Sequence, residues 1–328
     1  MDKKQRVEAA LQGLPVDRVP VSMWSRDYRR EWSAQALVEA TLESYSRYDW
    51  DYVRLTPRAC YHAEGWKARY RPADNGATPP ILESTPISRA SDWKRLRPLE
   101  PDQGAFGEQL LALQLMNHSL GFEAYFVETL FNPLSVARYI AGSVENVLHT
   151  IHEDRTAMHT ALRVITETLT SFAIACLEEG AHGIFYSTNG WANAPLLSED
   201  QYREFGEQYD LELLDAIKSR SKLTILHNCG PQMHFDLLAA YPVHAINWAI
   251  EQEGNPDLLD GMRRSGKAVM GGLNTDLLRT STSPQQIQEN VAEILEKTGT
   301  QHLLLAPGCT LAPDTPTRNI EAVRRMLA

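Results

Sequence analysis

The chain has 328 residues, 43% of them hydrophobic and 23% charged. That is ample for a large buried core and excludes a disordered, collagenous or disulfide-stapled chain. A formal net charge of -10 argues against a nucleic-acid or anionic-membrane surface, since both need clustered Lys and Arg.

The N-terminus, MDKKQRVEAALQGL, reads as a charged helix with no apolar run behind it, so no signal peptide is expected. No stretch approaches the roughly 18 apolar residues of a membrane span, and the expected compartment is the cytoplasm. Four cysteines, Cys60, Cys176, Cys229 and Cys309, are too few in so long a chain for a disulfide framework. Each is a candidate for packing, metal ligation or nucleophilic chemistry.

Strand-like runs are expected at 19–24, 51–57, 124–130, 183–188, 223–228, 245–249, 268–274 and 302–307. Most are continuously apolar (LTILHN, HLLLAP), the pattern of parallel strands covered on both faces. Helical periodicity fills the gaps at 31–47 and 106–120, and 143–179 is long enough for two helices. Ser198 caps a further helix. Ser283-Pro284 opens a helix that Gly299 stops, and Thr315-Pro316 opens the last one. Eight strands, each followed by helix, predict one (β/α)₈ barrel domain over 1–328. The alternative, an open doubly wound sheet, lacks its Gly-rich fingerprint, because MGGLN at 270–274 is not GxGxxG. The Pro-, Gly- and charge-rich stretch at about 61–99 breaks the alternation and is expected to be an insertion between the second and third strands, serving as a lid or an interface.

His227 and Cys229 end the fifth expected strand. Residues i and i+2 share a strand face, so both can address one atom. Cys309 follows the eighth strand, and in a barrel both places lie on the C-terminal face where active sites are built. A His/Cys/Cys set matches a catalytic zinc site with an open fourth position. Taken alone the His-x-Cys pair is weak evidence, since buried cysteines and lone histidines are usually packing. Cys60 and Cys176 are expected to be core.

The opening RVEAALQGLPVDRVPVSMW, the middle LTILHNCG and the close MGGLN with LLLAPGCTLAPDTPTRNIEAV resemble the uroporphyrinogen decarboxylase superfamily over nearly the whole chain. The resemblance implies the same barrel. The decarboxylases of that superfamily carry an RQAGRY-type motif where this chain has Met23-Trp24-Ser25-Arg26-Asp27-Tyr28-Arg29, and a Gly-His pair where it has Gly308-Cys309. Its methylcobamide-dependent methyltransferases have an H-x-C pair and a distant Cys as zinc ligands, the pattern of His227, Cys229 and Cys309. The resemblance therefore implies a zinc-dependent methyltransferase. It would move a methyl group between a corrinoid (methylcobalamin) and a small thiol, or a methoxy- or methylamine-type substrate. No D-x-H-x-x-G run is present, so the corrinoid is expected as a co-substrate, free or on a partner protein. One neutral His and two thiolates leave a Zn²⁺ site formally neutral, which keeps a bound substrate sulfur nucleophilic. No separate catalytic side chain is assigned.

Glu251 is a candidate fourth ligand. Trp24, Tyr186, Asn189, Trp191, Asn274 and Asp276, at expected strand ends, are candidate substrate contacts, with a helix cap as the alternative for Asp276. Two other functions stay open. Arg26, Arg29 and Arg30 suit a carboxylate-binding decarboxylase or lyase, and a barrel with structural zinc would be a non-catalytic binding protein.

Overall fold

A computed structural model describes residues 1–281 and 283–327. Its strands, in chain order, are β1 (Tyr52–Arg54), β2 (Arg69–Arg71), β3 (Ile81–Ser84), β4 (Tyr125–Phe131), β5 (Gly183–Ser187), β6 (Ile225–Asn228), β7 (Ala245–Trp248), β8 (Ala268–Leu273) and β9 (Leu303–Pro307). Seven of them form one parallel sheet in the order β1-β4-β5-β6-β7-β8-β9, curled into a (β/α)₈-type barrel with helices outside.

The first expected strand is corrected. Residues 19–24 form no strand, only single parallel bridges, Val21 to Leu305 and Ser25 to Leu311. Pro20 has no N–H to give a ladder, and a side chain takes over: Val21 N donates to the buried carboxylate of Asp51. The segment still occupies the eighth place. Ser22 N and Leu305 N exchange bonds with Leu305 O and Pro20 O on one side, and Asp51 N donates to Val21 O on the other. Asp51 also receives Arg6 Nη1 at 2.6 Å and Arg18 Nη1 at 2.6 Å. One buried carboxylate thus ties the barrel's closing segment to the N-terminal helix Lys3–Leu11.

Alternation sorts the side chains into two cores. Tyr52, Tyr125, Val127, Phe185, Ile225, Met270 and Leu304 fill the barrel, with Val7 of the N-terminal helix packed among them. Their neighbours, such as Val53, Phe126, Ile184, Tyr186, Leu226 and Ile246, point outward and pack with the helices.

Several helices start and stop where the sequence signals them, while the one expected from 31 begins at Ala34 and the last is preceded by Pro316, not Thr315, at its cap. Ser33, Ser143 and Ser198 cap theirs, the last with a Gln201 capping box. Pro284 sits in the first turn of Pro284–Thr298, and Gly299 ends it with φ 69°. The span 143–179 is two helices, Val144–Glu153 and Arg155–Glu178. The second corrects the expectation about apolar stretches, being long and apolar enough in composition to cross a membrane. Its Met158, Leu162, Ile165, Leu169 and Phe172 are wholly buried in the outer core.

The stretch 61–99 holds a helical turn (Tyr61–Glu64), the antiparallel hairpin β2–β3 and a 3₁₀ segment (Ala90–Arg95). It is pinned to the helices that follow β4: Tyr70 Oη donates to Tyr139 O, and Trp93 Nε1 to Thr150 Oγ1. Strand β3 itself is exposed.

Candidate metal centre

Strand β6 presents His227 inward, two residues after Ile225, and Cys229 follows just past the strand end. Gly230, at φ 82°, turns the chain there. Asn193 Nδ2 holds Cys229 O at 2.7 Å, Asn228 Nδ2 holds Asn193 Oδ1 at 2.6 Å, and Thr188 Oγ1 reaches Asn228 Oδ1 at 2.6 Å. The Cys229 turn is therefore braced from the loop after β5. Cys309 arrives from β9 through Gly308, where a Cβ would lie 2.5 Å from Ala249 Cα. Only glycine lets the chain pass that close.

The three side chains converge, all ligand atoms lying within 4.8 Å of one another. His227 Nε2 stands 2.8 Å from Cys229 Sγ and 3.9 Å from Cys309 Sγ, and the sulfurs are 3.4 Å apart. Tetrahedral zinc with bonds of about 2.0 Å to nitrogen and 2.3 Å to sulfur would space its ligands by roughly 3.5–3.8 Å. Small side-chain adjustments bring this set to that geometry.

The imidazole is held ready. His227 Nδ1 lies 2.6 Å from Asn247 Oδ1, while Asn247 Nδ2 donates to Met270 O and Pro307 O at 2.8 and 3.1 Å. Those carbonyls fix which way the amide points, so its oxygen accepts from Nδ1–H and the Nε2 lone pair is free for a metal. The sulfurs are within hydrogen-bond reach of each other. A hydrogen bond from Cys229 holds the Cys309 thiol well below its ordinary range, and Cys229, as donor, is pushed up. Replacing the fully buried Asn247 with leucine is expected to weaken zinc affinity about 10- to 100-fold while the chain stays folded, as chelator competition would measure.

Trp24 and Phe185 wall the centre, their rings 5.4 Å apart edge to face, with Phe185 5.2 Å from His227. Arg54 lies beside them on the inward face of β1, its Cζ 3.8 Å from the Phe185 ring.

The other expected contacts divide. Asn189 stays near the mouth, with Oδ1 taken by Ser187 Oγ and a buried Nδ2 without a partner. Tyr186 is corrected: it alternates with Phe185 and so faces outward, its Oη on Asp210. Trp191 is likewise buried in the outer core. Asn274 caps the helix Thr275–Thr280 through Leu277 N, and Asp276 lies in its first turn without being the cap. Glu251 is not in the converging group among the described residues. Burial raises its carboxyl above the usual range, and the charges of Asp276 and Cys309 add to the rise.

Cys60 and Cys176 are buried core residues. The arginines near the first strand are already engaged: Arg26 on Pro57 O and Glu31, Arg29 on Asn75 O, Arg30 on Asp27 and Glu43. Sequence reasoning missed Asn247, Phe185 and Arg54. The signal available for Asn247 was its place on the inward face two residues after Ala245.

The sequence matches the uroporphyrinogen decarboxylase (URO-D) family profile over residues 2–327. It is 23% identical to a protein of Methanosarcina acetivorans named methylcobamide:CoM methyltransferase MtbA, over 97% of this chain and 95% of that one. It is also 26% identical to a uroporphyrinogen decarboxylase of Pseudoalteromonas translucida, over 66% of this chain and 61% of that one. A solved methyltransferase from Methanosarcina mazei superposes with a TM-score of 0.82 at 20% identity, covering 99% of this chain and 98% of that one, which establishes the shared fold.

Proposed function

The chain belongs to the uroporphyrinogen decarboxylase family, and from that premise we propose that it is a zinc-dependent methyltransferase. It transfers a methyl group between a corrinoid and a small thiol, or a methoxy- or methylamine-type substrate. The observation that carries this reading is the convergence of His227, Cys229 and Cys309, a three-ligand set that leaves a metal one open position. Family members named for methylcobamide:CoM methyl transfer support it.

His227, Cys229 and Cys309 would hold the metal. When bound there, zinc would deprotonate a substrate thiol and keep it nucleophilic. Asn247 keeps the proton on His227 Nδ1, so that Nε2 remains a donor. Trp24 and Phe185 limit water at the inner wall, which strengthens every charge interaction nearby. The sequence carries no corrinoid-binding motif of its own, so a corrinoid protein or free methylcobalamin supplies or receives the methyl group.

The arginines the decarboxylase reading would draw on near the first strand already contact the chain's own groups. Arg26, Arg29 and Arg30 are each occupied by groups of the chain itself, and Cys309 stands where that branch has histidine. The test is methylcobalamin demethylation with a panel of thiols. Zinc-loaded protein is expected to demethylate it only when a thiol is present. Turnover of a porphyrinogen carboxylate without methyl transfer would overturn the reading.

A further inference from the structure

A carboxylate outside the metal centre lies in the outer core. Asp210 is wholly buried, and the groups that donate to it are neutral. Tyr186 Oη donates to its Oδ1 at 2.7 Å and Asn132 Nδ2 at 3.2 Å, while the hydroxyls of Tyr202 and Tyr241 donate to Oδ2. Burial lifts its carboxyl to about 6, with those hydrogen bonds opposing the rise, so it is ionised at neutral pH. The three phenols are pushed well above their usual range and stay protonated. A buried charge without a counter-charge is costly to keep.

The backbone departs from regular helix to build this cluster. Positions about seven apart share a face of an α-helix, but Tyr202 and Asp210 are eight apart. A π turn at Arg203–Glu207 lies between them. The extra residue it takes in brings the two side chains onto one face, and π turns inside α-helices are frequent at functional sites.

From Asp210 a line of buried polar groups runs to the metal centre. Asn132 gives its NH2 to Asp210, so its Oδ1 faces the other way and accepts from Ser135 N and Oγ. The Ser135 hydroxyl also reaches Thr188 O at 3.1 Å, and Asn132 N donates to Ser187 O at 2.9 Å. Thr188 Oγ1 then orients Asn228, Asn228 orients Asn193, and Asn193 Nδ2 holds Cys229 O. An ionised carboxylate can only accept. It therefore admits one orientation of the Asn132 amide, and with it one seat for the 187–188 backbone from which the next amides hang. We propose that Asp210 is a positioning residue for the metal centre, fixing the direction of the polar chain that seats the Cys229 turn. The assignment rests on the metal reading of His227, Cys229 and Cys309. It also accounts for a charge kept where an uncharged residue would pack at less cost.

The test follows zinc release from loaded protein into a chromogenic chelator, with Tm measured alongside. Asp210→Asn keeps the size of the side chain but can donate as well as accept. A carboxyl raised above its ordinary 3.8 favours folding only below that value, and the contribution is lost as pH climbs through about 6. The variant's Tm at pH 7 should therefore stay within about 4 °C of wild type or exceed it. Its zinc release at pH 7 should be about 2- to 30-fold faster. Below about pH 6 the ratio should shrink toward one, because wild-type Asp210 then takes up a proton and becomes a donor itself. Asn193→Ala, which cuts the last link, should also speed release, and adding Asp210→Asn to it should change nothing further. Wild-type release from Asp210→Asn, or the same acceleration on top of Asn193→Ala, overturns the assignment. So does an Asp210→Asn protein whose Tm falls beyond that margin, since Asp210 would then be a support of the fold. A wild type that takes up no zinc would sink the metal reading, and this assignment with it.

Discussion

Replacing Cys309 with serine is expected to empty the centre and abolish thiol-dependent methylcobalamin demethylation. The side chain shrinks only slightly, so the fold should persist, but a thiol held well below its ordinary range by the hydrogen bond from Cys229 becomes a hydroxyl that stays protonated. Two protein ligands remain where three converge, too few for a catalytic zinc site. Bound zinc should fall from about one per chain to near zero after mild chelation, measured by elemental analysis. Demethylation should fall with it, to the rate of free methylcobalamin and thiol. A Cys309→Ser protein that retains stoichiometric zinc and activity would show that Cys309 is a bystander.

Asp51→Ala should have the largest effect on stability. Asp51 is fully buried and receives Arg6, Arg18 and Val21 N at once, so its removal takes one of two carboxylate partners from the buried Arg6 guanidinium and releases the barrel's irregular closing segment. Breaking a buried pair from one side costs about 3–5 kcal/mol, a fall in Tm of roughly 5–15 °C in a chain of this size. Arg6 keeps Asp17, whose carboxyl hydrogen-bonds it at 2.7 and 2.8 Å, which sets the loss toward the lower end. Asp51→Asn, with acceptor and shape preserved, should fall between. Calorimetry showing Asp51→Ala within about 2 °C of wild type would mean that backbone bonds alone close the barrel.

The barrel was legible because each strand is an apolar run followed by helix, and because caps such as Ser198 and Ser283 mark their helices with local chemistry. The convergence of His227, Cys229 and Cys309 was legible for the same reason: the first two are two residues apart on one strand end, and the third follows another strand end. What failed needed information that local pattern lacks. The apolar run at 19–24 was read as a full strand, although Pro20 and the Asp51 side chain replace part of its ladder. Tyr186 and Trp191 were taken as pocket residues from aromatic density. Counting alternation from Phe185 would have turned Tyr186 outward, toward Asp210.

Asn274, expected as a substrate contact, caps the helix Thr275–Thr280 through Leu277 N. Asn247 and Arg54 could not be found from their own neighbourhoods. Asn247 matters because cross-strand register sets it against His227, and Arg54 because, among the described residues, its buried Nη1 finds no partner. The long helix Arg155–Glu178 shows the same limit: its composition suits a bilayer, while its burial belongs to the outer core.

Zinc K-edge X-ray absorption on the purified protein, before and after adding 2-mercaptoethanesulfonate, tests the centre most directly. A first shell of two sulfurs at about 2.3 Å with two light atoms, gaining a third sulfur in place of one light atom when the thiol is added, is the expected result. A closed shell of four protein ligands that the thiol leaves unchanged, or a protein that takes up no zinc, would contradict it.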